Sequence, residues 1–465
     1  MRRVLLLSHT TGYQLRAFND AAEQLGIELV FATDRCHRLD DPWQDRAVAV
    51  RFHDLDASLA AIAARARHVP IDGVLAVGDR PVVLAARAAE ALGIRWHTVQ
   101  GALASTDKRR SRATLTAAGL PSPHHVSVPA AESARTAAAD ISAYPVVLKP
   151  VGLSGSRGVI RANDARELEA AYDRIRALLA RPQIRAARAG LEDQILVEEY
   201  IDGRELALEG VMTDGVLQVF ALFDKPDPLE GPFFEETIYV TPSSLSPDVQ
   251  ARVAETIERA ATALGLRHGP IHAECRITPD GAIYVLEAAA RPIGGLCSRA
   301  LSFDDEPVAP GTASTASTLS TLSTPSTSST PSTLSTPSTR STPSTLSTSL
   351  EHVLLRHALG ESIAGVRRET AASAVMMVPI PERGMLRGVS GEDAARQVGG
   401  VSEIRITGKP GQILEPLPEA GSYLGFIFAR GETARDADAA VRRAHACLRF
   451  DISREIALAR PERDT

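Results

Sequence analysis

The chain has 465 residues, 44% of them hydrophobic, enough for two to three packed domains. Its net charge of −6, with both signs interspersed, gives no basic footprint for nucleic acid or an anionic membrane surface. The apolar run Val4–Leu7 is too short for a signal-peptide core, and no stretch approaches the roughly 18 consecutive apolar residues of a membrane span. Cys36, Cys275, Cys297 and Cys447 lie far apart with no CxxC or zinc spacing, which fits a reducing cytoplasm.

The first hundred residues alternate apolar runs with helical patterns. RVLLLS, IELVFAT and IDGVLAVGD read as strands, and YQLRAFNDAAEQLG, DASLAAIAARAR and PVVLAARAAEALG as helices. This alternation predicts a parallel sheet with helices on both faces. Gly26 and Gly93 each close a helix before a strand. The turn His9-Thr10-Thr11-Gly12 after the first strand is either a ligand contact at a helix N-terminus or an ordinary strand-to-helix turn, since GxGxxG is absent.

From about Leu103 the pattern changes. STDKRRSRATLTAAGLPSP predicts a helix capped by Ser105 or Thr106 and ended by Gly119 and Pro121. A strand-rich segment follows, then the helix ARELEAAYDRIRALLARPQ, the strand QILVEEYI and a hairpin turning at TDG. The amphipathic helix VQARVAETIERAATALGL precedes two strands, GPIHAECRIT and AIYVLEAAA, joined by PDG. Thr312–Ser349 is almost wholly Ser, Thr, Pro and Leu in STP and STL repeats, too poor in apolar surface to offset its ordering entropy. We expect it to be a disordered insert within a domain, because globular pattern resumes at LEHVLLRHALG and runs through YLGFIFARG to a last helix, ARDADAAVRRAHACLRF.

The chemistry is concentrated in a few places. In YPVVLKPVGLSGSRGV, Lys149 ends an apolar strand and the glycines come after it, the reverse of a Walker loop. A hairpin of this kind can close over a nucleotide as a lid, although a lysine before a glycine-rich loop also occurs by chance. Gly152, Gly155 and Gly158 bring backbone N–H groups close to phosphate, Ser154 and Ser156 add hydroxyls, and Lys149 adds a mobile cation. In VEEYIDGRE, Glu198 and Glu199 end a strand whose backbone around Glu199 and Ile201 suits an adenine, and Glu205 after the Gly203 turn suits a ribose. Lys108 gives a second cation for the phosphates. Glu274 and Glu287, on strands joined by PDG, offer paired hard oxygen ligands for Mg²⁺ (or Mn²⁺). Arg291 follows four residues later, placed to neutralise a transferred phosphoryl group. The segment FDKPDPLEGPFFEETIYVTP, with Lys225, Glu235 and Glu236, is either an acceptor-pocket loop or a solvated one.

Together, and in this order, these residues resemble the ATP-grasp superfamily, in particular its carboxylate–amine ligases near the L-amino acid (dipeptide) ligases. The resemblance covers most of the chain. It implies an α/β (α+β) ATP-grasp fold behind a Rossmann-like pre-ATP-grasp domain. The implied boundaries are residues 1–104 for the pre-domain, 105–306 for the ATP-grasp domain (lid about 125–200), 307–349 for the insert and 350–460 for the C-terminal part of the ATP-grasp region. It further implies ATP and Mg²⁺, with Lys108 and Lys149 on the α/β-phosphates, the 152–158 loop over the β/γ-phosphates and Glu198 through Ile201 at the adenine. Glu205 is implied at the ribose, Glu274 and Glu287 on the metal, and Arg291 beside the transferred phosphate. One position departs from the pattern: Ala289 stands where the family's E-x-N motif has a ligating Asn. The expected activity is ATP-dependent joining of a small carboxylate, such as an amino acid, to an amine through an acyl phosphate. Neither nucleic acid nor membrane is expected as a partner, and a homodimer is left open. A biotin-carboxylase-like reaction and a non-catalytic nucleotide-binding scaffold stay as alternatives, although no Met-Lys-Met carrier segment is present.

Overall fold

Strands Arg3–Ser8, Glu28–Thr33, Val48–Ala49 and Gly73–Val77 form one parallel sheet in the computed structural model, with Arg3–Ser8 between Glu28–Thr33 and Gly73–Val77. The structure describes residues 1–9, 14–34, 47–134, 143–187, 190–305 and 348–454. Thr10–Gly12 of the first turn and nearly all of the Ser/Thr/Pro insert lie outside the described residues.

Val4–Leu7 of the first strand is continuously apolar because both faces of this sheet are covered. Val4 and Leu6 join a core with Phe18 of helix Gln14–Leu25, whereas Leu5 and Leu7 join one with Ile62 of helix Leu55–His68 and Ala85 of helix Val82–Leu92. Gly93 caps the last of these helices at φ 66°, a left-handed conformation that glycine adopts without steric cost.

The helix start expected at Ser105 or Thr106 lies elsewhere. Both residues end helix Val99–Thr106, and their hydroxyls turn back to the Ala102 carbonyl (3.0 Å each). Asp107 caps the next helix, Lys108–Ala117, accepting from Arg109 N at 2.9 Å and from Arg110 N at 3.4 Å. A carboxylate satisfies two orphan N–H donors at once and suits the positive helix end, so it displaces its hydroxyl neighbours from the cap.

Two antiparallel sheets follow. The smaller orders His125–Pro129, Gln194–Glu199, Val146–Pro150 and Ile160–Ala162, backed by helix Ala165–Leu179 through Leu168, Tyr172 and Ile175. Its Val146↔Ala162 register makes residues 151–159 the expected hairpin loop. The larger sheet has eight strands, in the order Ile283–Ala289, Gly269–Ile277, Arg204–Thr213, Val216–Asp224, Ile238–Thr241, Ala372–Val378, Gly425–Gly431 and Val401–Ile406. Its last three strands come after the insert, so chain from both sides of the insert builds one sheet. The insert leaves and re-enters at neighbouring points: Phe303 N donates to Thr348 O (2.9 Å), and Thr348 N donates back at 3.3 Å.

Candidate active site

One face of the large sheet is polar by simple period-two alternation. Along Gly269–Ile277 it presents His272, Glu274 and Arg276, paired in register with Glu209, Ala207 and Glu205 of the neighbouring strand. On the other side Glu274 stands opposite Glu287. This face, the glycine-rich hairpin and the C-terminal ends of the parallel strands enclose a cavity of about 490 Å³. Lys108, Lys149, Ser154, Gly155, Ser156, Glu198, Glu199, Ile201, Glu205, Glu274, Glu287 and Arg291 all line it. Twelve residues spread over 184 positions of sequence converge on one space.

Lys149 owes its position to Glu198. The Glu198 carboxylate is ion-paired with Lys149 Nζ and accepts from Arg112 Nε (2.9 Å) and Nη2 (3.3 Å). Burial alone would raise the Glu198 pKa, but Arg112 and Lys149 outweigh it and bring it down to about 2. Lys149 is lowered instead, by burial first and then by Arg112 and Lys108, against the support of Glu198. The carboxylate of Glu198 is thus already engaged by two cations. The exposed Glu199 and the Ile201 segment line the cavity, with the Ile201 carbonyl accepting from Arg276 Nη1 at 2.8 Å.

Within the hairpin, Gly155 (φ 64°) and Ser156 (φ 55°) adopt the left-handed conformation that turns the loop over the cavity. Lys108 Nζ donates to the Leu153 carbonyl at 2.7 Å, tying the second cation to this loop. Gly152 and Gly158 do not line the cavity. A Cβ at Gly152 would meet Leu191 at 2.9 Å, and one at Gly158 would meet Pro150 at 2.7 Å, so both glycines serve close packing.

Beyond the loop lies a dense charge cluster. Lys225 Nζ is 2.8 Å from Glu205 and 3.4 Å from Glu274, and it is paired with Glu236. Oxygens of Glu205, Glu236 and Glu274 lie within 4.8 Å of one another, a spacing that fits a cation. The Lys225 ammonium already fills that role, so this trio needs no metal. Burial lowers the Lys225 pKa, yet the three acids outweigh it and raise it well above normal. Burial and the neighbouring Glu274 push Glu236 up to about 7, against the pull of Lys225.

The Glu274–Glu287 pair is different. Among the described residues Glu287 accepts no hydrogen bond, and its only ion pairs are long, to Lys108 (4.0 Å) and Arg291 (3.9 Å). Glu274, although paired with Lys225 (3.4 Å) and His272 (3.7 Å), keeps further lone pairs toward the cavity, and with the open Glu287 it fits a hard divalent cation. Ala289, buried opposite His272, offers no ligand atom.

Arg291 reaches across to the parallel sheet, where Asp79 accepts from its Nε (2.8 Å) and Nη2 (3.4 Å). Burial raises Asp79, but Arg291 more than compensates and holds its carboxyl below the usual range, with a further hydrogen bond to Ser154. Behind this pair the buried Glu209 accepts from Ile293 N (3.1 Å) and bonds His272 Nδ1 (3.1 Å), fixing the chain just after Arg291.

Several cavity residues escape a reading of sequence. Asp79 sits 212 positions from Arg291, and nothing in VGDR points to it. Arg112 looks like one more exposed charge in KRRSR but is fully buried. Glu236 lines the cavity, while Glu235 of the same segment does not, and Lys225 reaches the site through its ion pair with Glu236. Met377 and Phe426, on strands after the insert, and Tyr423, just before the second of them, also line it. The apolar setting of Tyr423 was the one signal available for these three.

Comparison with known proteins agrees with this architecture. Residues 142–300 match the family described as ATP-grasp domain, residues 376–453 the L-amino acid ligase C-terminal domain 2, and residues 19–94 the ATP-grasp N-terminal domain. The chain is 28% identical to the alanine–anticapsin ligase of Bacillus subtilis over 236 residues, 48% of this chain and 49% of that one. It is 30% identical to the D-alanine–D-alanine ligase of Aromatoleum aromaticum over 42% of this chain and 60% of the other. The matched stretch thus spans about half the length of the alanine–anticapsin ligase. In three dimensions the chain is similar to the crystal structure of L-amino acid ligase from Bacillus licheniformis, with TM-score 0.75 and 22% identity over 97% of this chain and 99% of that one. Among the described residues no helix is long and apolar enough to cross a membrane.

Proposed function

We propose that this chain, which belongs to the ATP-grasp superfamily, is an ATP-dependent carboxylate–amine ligase acting on amino acids or other small carboxylic acids. The observation that carries this reading is the cavity in which Lys108, Lys149 and Arg291 surround the Glu274–Glu287 pair, with Glu287 free of any close partner among the described residues. Three cations and two metal-type acids suit a polyphosphate, and among the described residues no side chain there is activated as a nucleophile. Cys297 also lines the cavity, but burial raises its thiol far above physiological pH.

In this reading the γ-phosphoryl of ATP passes to a substrate carboxylate, giving an acyl phosphate and ADP. An amine then attacks the acyl carbon and phosphate leaves, so one C–N bond forms as one C–O bond breaks. Lys108, Lys149 and the Ser154–Ser156 loop hold the phosphates, backbone at Glu199 and Ile201 meets the adenine, and Glu205 takes the ribose hydroxyls. Arg291, oriented by Asp79, stabilises charge on the transferring group. Glu274 and Glu287 would hold Mg²⁺ or Mn²⁺, which supplies charge compensation for the phosphates. The alanine–anticapsin and L-amino acid ligases to which the chain is similar support this class of substrate. The free thiols of Cys275, Cys297 and Cys447 support a cytoplasmic setting.

The test is a screen of ADP release with amino acids singly and in pairs, with products identified by mass. ADP release should need a carboxylic acid and rise with an amine acceptor. Release with bicarbonate as the sole productive carboxylate would move the assignment to the carboxylases. Nucleotide binding without acid-dependent release would make the chain a scaffold.

A further inference from the structure

The ligase reading uses the floor of the cavity and its phosphate side, but not the segment that closes it from the C-terminal direction. Between strands Val401–Ile406 and Gly425–Gly431 the chain runs through residues 407–424, and Thr407, Gly421, Ser422 and Tyr423 of that segment line the cavity. The same segment is bonded to the lid at several points. Gly158 N donates to the Pro418 carbonyl at 2.8 Å, and Arg157 Nε donates to the Glu419 carbonyl at 3.3 Å. Arg174 makes a two-pronged pair with the Glu419 carboxylate, its Nη2 donating to Oε2 at 2.8 Å. Arg181 makes another with Glu415, at 2.6 and 3.1 Å. Gly421 lies flat against Arg157, where a Cβ would come within 2.4 Å of Arg157 Cδ.

We infer that segment 407–424 is a latch that ties closure of the glycine-rich lid to the acceptor side of the cavity, with Arg157, Arg174 and Arg181 as positioning residues. The contacts come from three separate places on the lid: the hairpin loop, helix Ala165–Leu179 and the turn after it. A two-pronged guanidinium–carboxylate pair fixes orientation as well as distance, and two such pairs four residues apart on the segment leave it little freedom to rotate. Residues 415–419 therefore move with the lid, and residues 421–423, next along the chain, carry that position into the cavity. Coupling runs in both directions, so a ligand against Tyr423 and Ser422 favours the closed lid and a closed lid favours that ligand.

The inference rests on the cavity being a nucleotide site, and the experiment separates the two. Affinity for mant-ADP is measured with and without a saturating amino-acid substrate from the screen, for the parent, Glu419→Arg, Arg174→Glu and the double charge swap. In the parent the amino acid should tighten mant-ADP binding. Glu419→Arg should weaken mant-ADP about five- to tenfold, abolish the tightening and raise KM for ATP with kcat changed less than about twofold. The swap should restore affinity to within about twofold of the parent, which a merely structural lesion would not allow. Parent-like affinity and tightening in Glu419→Arg, or failure of the swap to rescue, would overturn the latch alone. A parent that binds no mant-ADP would overturn the nucleotide reading and the latch with it.

Discussion

Replacing Glu198 by Gln removes one negative charge from between two buried cations while keeping the side chain's shape. The structure sets the scale. Glu198 and Arg112 are 3% and 0% exposed, and the glutamate pKa is depressed from 4.5 to about 2. At roughly 1.4 kcal/mol per unit, that shift corresponds to about 3 kcal/mol of pH-dependent stability, the same order as the roughly 3–5 kcal/mol for stranding a buried charge. Because the folded pKa lies below the unfolded one, this stabilisation is complete above about pH 4.5 and is lost as the pH falls toward 2. Urea denaturation of parent and Glu198→Gln at several pH values is the assay. The variant should be weaker by about 3 kcal/mol at pH 7, and the gap should narrow steadily below pH 4.5 as the parent carboxylate protonates. Replacing Arg112 by Met in the same chain should recover part of the loss, since one stranded cation is removed. A gap under about 0.5 kcal/mol at pH 7, or one that does not change between pH 7 and pH 3, would refute the account of how Lys149 is held.

Lys149→Ala should lower ADP release by about two orders of magnitude, the scale of losing a key charge stabiliser, and turnover equal to the parent would remove it from the phosphate site. Glu287→Gln should be nearly inactive. Ala289→Asn should lower the free Mg²⁺ needed for half-maximal turnover, since it would add an oxygen ligand where Ala289 offers none; identical Mg²⁺ curves for Glu287→Gln and the parent would show that this carboxylate holds no metal. Lys225→Met should strand the buried Glu205 and the half-buried Glu236 and Glu274 and destabilise the fold by about 3 kcal/mol, with added Mg²⁺ or Ca²⁺ restoring part of the loss; a neutral effect in urea denaturation would refute the role of the ammonium as the cluster's cation. Deleting Thr312–Ser347 should leave melting temperature and turnover nearly unchanged, because the flanking Phe303 and Thr348 are already hydrogen-bonded to each other and a short linker spans the gap.

What sequence revealed and what it hid have different physical origins. Lys149, Glu274 and Glu287 are charged residues set within apolar strand runs, and burying such a residue is costly enough that it must have a partner. The strands themselves were legible by alternation, down to the hairpin that makes 151–159 a loop over the cavity. Partners were not legible, because an ion pair is a property of the fold. Asp79 meets Arg291 only after the parallel sheet docks against the polar face, and Arg112 is driven inward by Glu198 from what reads as a solvated helix. The same limit produced the misplaced helix cap: Ser105 and Thr106 are good caps in isolation, and only the continuation of helix Val99–Thr106 through them leaves the position to Asp107.

The neighbouring ends of the insert make the fold divisible without being separable into independent parts. A chain cut between residues 306 and 347 gives two pieces that are joined again at the Phe303–Thr348 bridge. The second piece brings strand Ala372–Val378 to the edge left by Ile238–Thr241, along with Met377, Tyr423 and Phe426 for the cavity wall. The first piece keeps both lysines, the paired acids and Arg291, but exposes a strand edge that it cannot cover alone. Reassembly of the two would complete the sheet and the cavity in one event, so ligation activity would report directly on whether two polypeptides have met.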